Sequence, residues 1–325
     1  MSQRRMKTAA SPERIAVIGS GLMGHGIAQA FAQGGCNVTL HDTDETVLEK
    51  ASQRIGLNLK ASAEKGLEEE ARIEKIISRI SPTGDLAEAV RDADFVVESV
   101  PEDLLIKKKV FKAIDSLAPE GTILASNTSM LTISDIGKDV KRKERLVVTH
   151  WFNPPHLIPV VEVVKGAATS QETVERTIHL LEEIGKVPVR VLKEVPGHLL
   201  NRIQFALFRE TLSLLQEGVA TPGEIDKAVS GSLGLRLATI GPLKSIDLAG
   251  IDLFWFGMKD MYTYLDNSLE PQRIIQKKVR AGEIGRKSGK GFFEYESSNL
   301  MSGDERARDD KIMELLTILY PKREI

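Results

Sequence analysis

The feature that most constrains this chain is the glycine-rich stretch VIGSGLMGHGIA. The preceding residues, RIAVIG, form a short apolar and β-rich run, and the following residues place apolar side chains at helical spacing. Gly19, Gly21 and Gly24 thus have G-x-G-x-x-G spacing within a strand, turn and helix. Gly19 allows the tight turn, Gly21 lets the backbone approach a pyrophosphate, and Gly24 allows close packing of helix on strand. The stretch predicts a dinucleotide-binding site.

The next predicted strand, NVTLHD, ends in a carboxylate. Asp42 lies 23 residues after Gly19, where it can accept hydrogen bonds from a ribose hydroxyl and would repel a 2′-phosphate. We therefore expect NAD rather than NADP as the cofactor, with Leu22 and Met23 of the glycine loop also beside it. An ordinary tight turn in an α/β protein is the alternative interpretation of the loop.

Strand and helix patterns alternate along the first part of the chain, which predicts an α/β fold with a doubly wound parallel sheet. The charged segment at about 49–82 is expected to form a helical arm that projects from this sheet. From residue 196 the pattern is mostly helical and predicts a second, all-helical domain. We therefore expect a disordered tail at 1–13, a cofactor domain at 14–195 and a helical domain at 196–325.

Composition excludes several classes of function. The chain has 325 residues, 42% apolar and 28% charged, with a formal net charge of -2. Its net charge therefore provides no long-range electrostatic attraction for nucleic acid or an anionic membrane. Cys36 is its one cysteine, which rules out an intrachain disulfide and a zinc thiolate cluster. No run of 18 apolar residues occurs. We expect a cytoplasmic protein without a metal, a membrane span or a nucleic-acid partner.

The stretch THWFNPPHLIPVVEVV contains the candidate proton-transfer residues. His150 ends one β-rich run, Glu162 lies in the next, and the prolines between them require a loop that is not helical. A hydride acceptor needs a partner that removes the alcohol proton, for which histidine is the usual residue, and a carboxylate can hold its imidazole. A structural histidine at a strand end remains the alternative at this point.

With these motifs in view, the chain resembles the L-3-hydroxyacyl-CoA dehydrogenase family along nearly its whole length. The resemblance includes VIGSGLMGHGIA, ASNTS, H-x-F-N-P, the glutamate twelve residues after the histidine, PG-x-x-x-NR, GPL-x-x-x-D-x-x-G-x-D and GRKSGKGFFEY. It implies a Rossmann-like domain followed by a helical domain that forms a homodimer. It also implies NAD-dependent oxidation of the C3 hydroxyl of an L-3-hydroxyacyl substrate.

The resemblance assigns roles to particular residues of this chain. His150 and Glu162 match the catalytic histidine and glutamate of the family, and Ser129 and Asn201 match polar residues that hold the substrate oxygen. By this resemblance, Ser129 and Asn201 would stabilise the charge that develops on that oxygen. Family positions near the nicotinamide and its ribose are matched by two charged residues, Glu102 and Lys107.

The substrate tail is less well defined by the resemblance. Family members that act on CoA thioesters use a serine and a lysine on the helical arm, where this chain has Asn58 and Lys65. The NPPHLIP loop resembles relatives that oxidise free 3-hydroxy acids, such as L-gulonate 3-dehydrogenase with lambda-crystallin, carnitine dehydrogenases and a pyridine-carboxylate dehydrogenase. Asn153 is expected to tie this loop or reach substrate, and His156 and Arg236 are candidate contacts for a substrate carboxylate.

We therefore expect a short-chain 3-hydroxyacyl-CoA as substrate, with a free 3-hydroxy acid as the second choice. A non-catalytic dinucleotide-binding protein is the alternative from another class. A nucleic-acid-binding module, suggested by the short basic run KRKER, is a remote third.

Overall fold

The structure is a computed structural model that describes residues 13–295 and 303–320. Apart from Glu13, the tail expected at 1–13 lies outside these residues. The described chain forms two compact units. The first contains residues 13–199 and Asp309–Glu314, and the second contains the described residues between Leu200 and Arg308 together with 315–320.

The first unit is built on eight strands. They are β1 (Arg14–Ile18), β2 (Asn37–His41), β3 (Ile80–Thr83), β4 (Phe95–Glu98), β5 (Ile123–Ser126), β6 (Leu146–Trp151), β7 (Val160–Val164) and β8 (Val187–Val191). Its helices are α1 (Gly24–Gln33), α2 (Glu45–Glu64), α3 (Ile73–Ile77), α4 (Leu86–Val90), α5 (Leu104–Leu117), α6 (Ile133–Ile136) and α7 (Gln171–Glu183).

The strands form one sheet in the order β3-β2-β1-β4-β5-β6-β7-β8. Its first six positions have the 3-2-1-4-5-6 order of a Rossmann fold, in which ligands bind at the carboxyl ends of the strands near the β1/β4 switch point. All neighbouring strands are parallel except β6 and β7, which are antiparallel. The Rossmann-like prediction is confirmed, and the antiparallel pair is an addition to the parallel sheet that we expected.

The segment predicted to be a helical arm differs in detail from the expectation of about 49–82. Helix α2 already begins at Glu45, where Asp44 caps it by accepting a hydrogen bond from the backbone N–H of Thr46. The end of the predicted segment is strand β3, which pairs in parallel with β2. The alternation of apolar and polar residues in β3 is too short to be recognised as a strand pattern within so charged a segment.

Two apolar clusters cover the two faces of the sheet. One contains Phe31 of α1, Phe95 and Trp151, and the Phe31 and Trp151 rings lie 5.5 Å apart between centroids. The other contains Phe111 of α5 and Leu146. Successive residues of a strand point to opposite faces, so Trp151 belongs to the first cluster while its neighbour in β6, His150, faces the other side.

The second unit is helical. Its helices are α8 (Leu200–Gln216), α9 (Pro222–Ala228), α10 (Leu235–Thr239), α11 (Pro242–Ala249), α12 (Ile251–Met261), α13 (Arg273–Arg280) and part of α14 (Gly303–Leu319). A π-helical turn, Val229–Gly234, joins α9 and α10. Among the residues that the structure describes, no helix has the length and apolar character needed to cross a membrane.

Candidate active site

The glycine loop after β1 is tight at its ends and open at its centre. Gly19 has φ +98°, and a Cβ placed there would lie 2.6 Å from the Ser99 carbonyl oxygen. A Cβ on Gly24 would lie 1.7 Å from the Gly19 carbonyl oxygen, so a side chain is excluded there as well. Nothing lies within 4 Å of a Cβ built on Gly21. The loop therefore leaves its backbone accessible at the point where a phosphate would approach α1.

Two side chains of this loop point to different surroundings. Leu22 is 54% exposed, whereas Met23 is half-buried, packs against the cluster that contains Phe31 and directly precedes α1. Leu22 is thus available to an adenine or ribose beside the loop, and Met23 anchors the start of the helix.

The carboxylate of Asp42 lies against the same loop. It accepts hydrogen bonds from the backbone N–H of Ser20 at 2.8 Å and from the Ser20 hydroxyl at 3.1 Å, and its other oxygen accepts from the Asp44 N–H at 3.2 Å. An ionised carboxylate has about four acceptor positions, so acceptor capacity remains for a ribose hydroxyl. The open backbone at Gly21 and this carboxylate fit a dinucleotide without a 2′-phosphate.

His150, near the end of β6, and Glu162, in the middle of β7, form a buried pair. The two residues are direct partners in the antiparallel register, so their side chains leave the same face of the sheet and lie close together. His150 Nδ1 and Glu162 Oε2 are 2.8 Å apart, and the residues are 2% and 1% exposed. Because the carboxylate accepts, Nδ1 carries the proton and Nε2 is left to exchange protons with another group.

The loop between these strands is fixed by a buried lysine. Lys186 Nζ donates to the backbone oxygens of Pro155 at 2.7 Å and Ile158 at 3.0 Å, and burial lowers the pKa of this ammonium to about 7. The loop also packs on α1, where a Cβ on Gly26 would lie 2.7 Å from Pro155 Cγ. Lys186 and the packing of Pro155 thus hold the loop against α1.

The two loop residues considered for substrate contact differ in exposure. Asn153 is exposed and precedes a cis peptide bond to Pro154. His156 is half-buried, and its Nδ1 lies 3.3 Å from the position of a Cβ built on Gly26. The structure thus places His156 next to α1 and leaves Asn153 at the surface.

Glu102 holds the segment that contains Ser129. Its Oε1 accepts hydrogen bonds from the Thr128 hydroxyl at 2.5 Å, the Ser129 N–H at 3.0 Å and the Met130 N–H at 2.9 Å. Burial acts to raise the pKa of Glu102, but these hydrogen bonds and the charge of Lys107 outweigh it and the pKa is lowered. An ionised Glu102 thus fixes the backbone at half-buried Ser129.

Lys107 lies deeper than its predicted place near the cofactor ribose. The residue is fully buried, with Nζ 2.7 Å from Glu98 Oε1 and 3.4 Å from Glu102 Oε2. Glu98 also accepts from the Ser126 hydroxyl at 2.6 Å. Burial raises the pKa of Glu98, and Lys107 and Ser126 oppose that shift. The positive charge of Lys107 therefore lies between Glu98, at the carboxyl end of β4, and Glu102, in the segment that follows this strand.

His198 is a second buried histidine beside His150. The two ring centroids lie 5.3 Å apart, and His198 Nε2 is 3.1 Å from the Thr128 carbonyl oxygen. Since a carbonyl only accepts, Nε2 donates in this contact. The first unit therefore brings His150, Glu162, Glu102 and the Ser129 segment into one region, together with a histidine that we did not predict.

Other predicted residues lie apart from this cluster. Asn58 is 4% exposed and donates to Gln29 Oε1 at 3.1 Å, so its amide is used in packing α2 against α1. Lys65 forms an ion pair with Glu314 at 3.0 Å. The expected arm contacts to substrate are thus already engaged within the protein.

Two predicted residues belong to the second unit. Asn201 is half-buried near the start of α8. Arg236 in α10 is exposed, and its Nε donates to the backbone oxygen of Ser232 at 3.4 Å. The structure thus shows Arg236 in a local contact within its own helical segment.

Comparison with known proteins decides the family. The model of the 3-hydroxyacyl-CoA dehydrogenase NAD binding domain matches residues 14–195, and the model of the C-terminal domain matches residues 197–295. The chain belongs to the 3-hydroxyacyl-CoA dehydrogenase family. As a member of this family it is an NAD-dependent oxidoreductase that acts on CH–OH groups, as the motifs implied.

Individual members of the family are similar over most of their length. The chain is 38% identical to the 3-hydroxybutyryl-CoA dehydrogenase of Clostridioides difficile over 283 residues, which cover 87% of this chain and 99% of the relative. It is 36% identical to the 5-formyl-3-hydroxy-2-methylpyridine 4-carboxylate 5-dehydrogenase of Mesorhizobium japonicum over 281 residues, 86% of this chain and 90% of the relative.

A solved structure of a 5-formyl-3-hydroxy-2-methylpyridine 4-carboxylic acid 5-dehydrogenase, described as an NAD+ dependent dismutase, superposes on this chain with a TM-score of 0.87. It is 33% identical and covers 96% of this chain and 100% of its own. The two kinds of relative therefore share the fold of this dehydrogenase while bearing names of different substrates.

Proposed function

We propose that this dehydrogenase oxidises the C3 hydroxyl of a short-chain L-3-hydroxyacyl-CoA to the ketone, and catalyses the reverse reaction. The observation that carries the proposal is the buried His150–Glu162 pair, whose Nδ1 and Oε2 atoms lie 2.8 Å apart across β6 and β7. NAD, when bound, would supply the hydride acceptor. Gly19, Gly21 and Gly24 of the loop and the Asp42 carboxylate would hold it on the first unit.

The residues of the chain then manage the proton and the substrate oxygen. His150 Nε2 removes the hydroxyl proton, and Glu162 stabilises the imidazolium that results, since its carboxylate already accepts from Nδ1. Ser129, whose backbone is fixed by Glu102, donates to the oxygen as its charge changes. Asn201 is proposed as a second donor to that oxygen on the basis of the family motif alone.

The test is NAD reduction followed at 340 nm with a panel of substrates. L-3-Hydroxybutyryl-CoA is compared with L-3-hydroxybutyrate, L-gulonate and L-carnitine under identical conditions. We expect the thioester to give the highest kcat/KM. Binding of NADH without turnover of any substrate would contradict the proposal and favour a non-catalytic dinucleotide-binding protein.

A free 3-hydroxy acid is the second candidate substrate, and three observations favour it. Asn58 stands where the thioester enzymes use a serine, and it is buried against Gln29. Lys65, at the matching lysine, is paired with Glu314. A relative with 36% identity is named for a pyridine carboxylate substrate. Under this alternative, a free acid gives the highest kcat/KM, and the 153–159 loop determines specificity.

We further propose that the dehydrogenase is a homodimer formed through the second unit and that it acts in the cytoplasm. Helix α12 exposes Leu253 at 64%, Trp255 at 60% and Phe256 at 69%, which is an unusual concentration of apolar surface for a monomer. The buried thiol of Cys36, whose pKa burial raises to about 12, suits a reducing compartment. We propose 14–195 as the NAD-binding domain and 196–325 as a helical domain for substrate binding and dimerisation.

A further inference from the structure

The backbone at His198 is unusual. This residue has φ +53°, in the left-handed region, and it directly follows Gly197, whose φ is +78°. A side chain in this region costs conformational free energy and persists where surrounding contacts enforce it. The His198 side chain is fully buried. Its contacts within the protein are therefore what must stabilise this backbone conformation.

The imidazole has one polar partner and one aromatic neighbour. Nε2 donates to the Thr128 carbonyl oxygen at 3.1 Å, so a neutral ring carries its proton on Nε2. Among the residues that the structure describes, none is a hydrogen-bond partner of the buried Nδ1, and the ring lies 5.3 Å from the His150 ring. His198 thus touches both the segment that precedes Ser129 and the proposed general base.

Several charged and titratable groups surround this ring. Burial lowers the pKa of His198, and the neighbouring His150 lowers it further, while the hydrogen bond to Thr128 and the carboxylates of Glu162 and Glu102 act in the opposite direction. The net shift favours the neutral ring. A neutral His198 adds no positive charge beside the imidazolium that His150 forms during turnover.

Thr128 is held from two sides. Its hydroxyl donates to Glu102 at 2.5 Å, and its carbonyl oxygen accepts from His198. We propose that His198 is a positioning residue, which fixes the Thr128–Ser129 backbone relative to His150 so that both can reach one substrate oxygen. This inference rests on the proposed function, because it assumes that Ser129 and His150 act on the same hydroxyl.

The test compares His198→Phe with His198→Gln. Phenylalanine keeps a ring against His150 but removes the donor, whereas the glutamine amide nitrogen can replace Nε2 as a donor to Thr128. We expect kcat to fall about tenfold or more in His198→Phe and to stay within about threefold of wild type in His198→Gln. The dissociation constant for NADH, measured by fluorescence, should be unchanged in both.

Wild-type kcat in His198→Phe would overturn the proposal, as would an equal loss of kcat in both variants, since that result indicates packing alone. A second measurement does not depend on turnover or on folding of the variants. Long-range ¹H–¹⁵N correlation spectra of the wild-type histidines should show His198 as the neutral Nε2–H tautomer at pH 7.5. An Nδ1–H tautomer would refute the contact to Thr128, whereas a wild-type enzyme inactive on every substrate would refute the proposed function instead.

Discussion

The two units of this dehydrogenase bury their side chains to very different extents. Helix α1 of the first unit is buried from Gly24 to Ala32. In the second unit, which is fully described from 200 to 295, helices α8 to α13 contain no buried residue. The first unit thus has its own core and satisfies its own buried charges. The second unit exposes apolar side chains along α12, which is the surface proposed for the dimer.

This difference separates two tasks. Proton transfer requires fixed geometry in a surrounding that excludes water, and the His150–Glu162 pair lies within the self-contained unit. Association requires accessible apolar surface, and α12 supplies it in the other unit. The following substitutions test whether chemistry and assembly are divided in this way.

The largest effect is expected for His150→Gln. The variant lacks the group that accepts the hydroxyl proton, so kcat should fall about 10²- to 10⁴-fold. The dissociation constant for NADH, obtained by fluorescence titration, should remain within about threefold. His179→Gln is the matched control, because His179 is an exposed histidine of α7 in the same unit. A similar kcat for both variants would remove His150 from the chemistry.

Assembly should be lost in Phe256→Asp. A carboxylate in the middle of the exposed face of α12 would have to be desolvated in a dimer. We expect light scattering to give the dimer mass for wild type and the monomer mass for the variant, with NADH binding retained. Leu105→Asp is the control, since Leu105 is an equally exposed apolar residue, at 76%, in the first unit. A monomeric wild-type enzyme would contradict this division. So would a dimer that persists in Phe256→Asp but is lost in Leu105→Asp.

Coenzyme preference should change in Asp42→Asn. The variant loses the charge that repels a 2′-phosphate and accepts ribose hydroxyls less well, so kcat/KM for NAD should fall about tenfold and the ratio for NADP over NAD should rise. Glu45→Gln, which changes an exposed acid nearby, serves as the control. An unchanged ratio in Asp42→Asn would show that this carboxylate only orders the loop at Ser20.

The smallest effect concerns the pH dependence of stability and involves Lys186. Its folded-state pKa is about 7 against an ordinary 10.5, so between these values the unfolded chain binds a proton that the folded protein has released. The free energy of unfolding should therefore rise with pH in this window, by at most about 1.4 kcal/mol per pH unit, and this dependence should level off below pH 7, where both states hold the proton.

Lys186→Met removes that dependence. Urea denaturation at pH 6, 7, 8 and 9 should show wild type gaining stability relative to this variant above pH 7. Lys227→Met, at an exposed lysine of the second unit, should follow wild type at every pH. Parallel curves for wild type and Lys186→Met would mean that Lys186 keeps an ordinary pKa.

The sequence predicted those features that depend on local pattern. The strand, glycine turn and helix at 14–33 follow from periodicity and from the backbone freedom of Gly19. The partnership of His150 and Glu162 needed more, because spacing alone does not determine strand register. The structure supplies that register by pairing the two residues directly across an antiparallel pair.

Buried charges were the features that the sequence could not locate. Lys107 and Lys186 resemble ordinary surface lysines in sequence, and their burial depends on strands and loops far away in the chain. Glu98, at the end of the apolar run FVVE, offered a signal, since a carboxylate that ends a buried parallel strand lies where ligands bind. His198 offered only the preceding glycine, and its contact with Thr128 joins residues 70 positions apart.

The central claim is that Glu162 stabilises the imidazolium formed on His150 when the substrate hydroxyl is oxidised. The most direct measurement is the single-turnover rate of NADH formation by Glu162→Gln and by wild type, at saturating NAD and substrate. We predict a rate at least about 100-fold lower in the variant, with unchanged NADH affinity. Equal single-turnover rates would contradict the account, since the buried pair would then have no part in proton transfer.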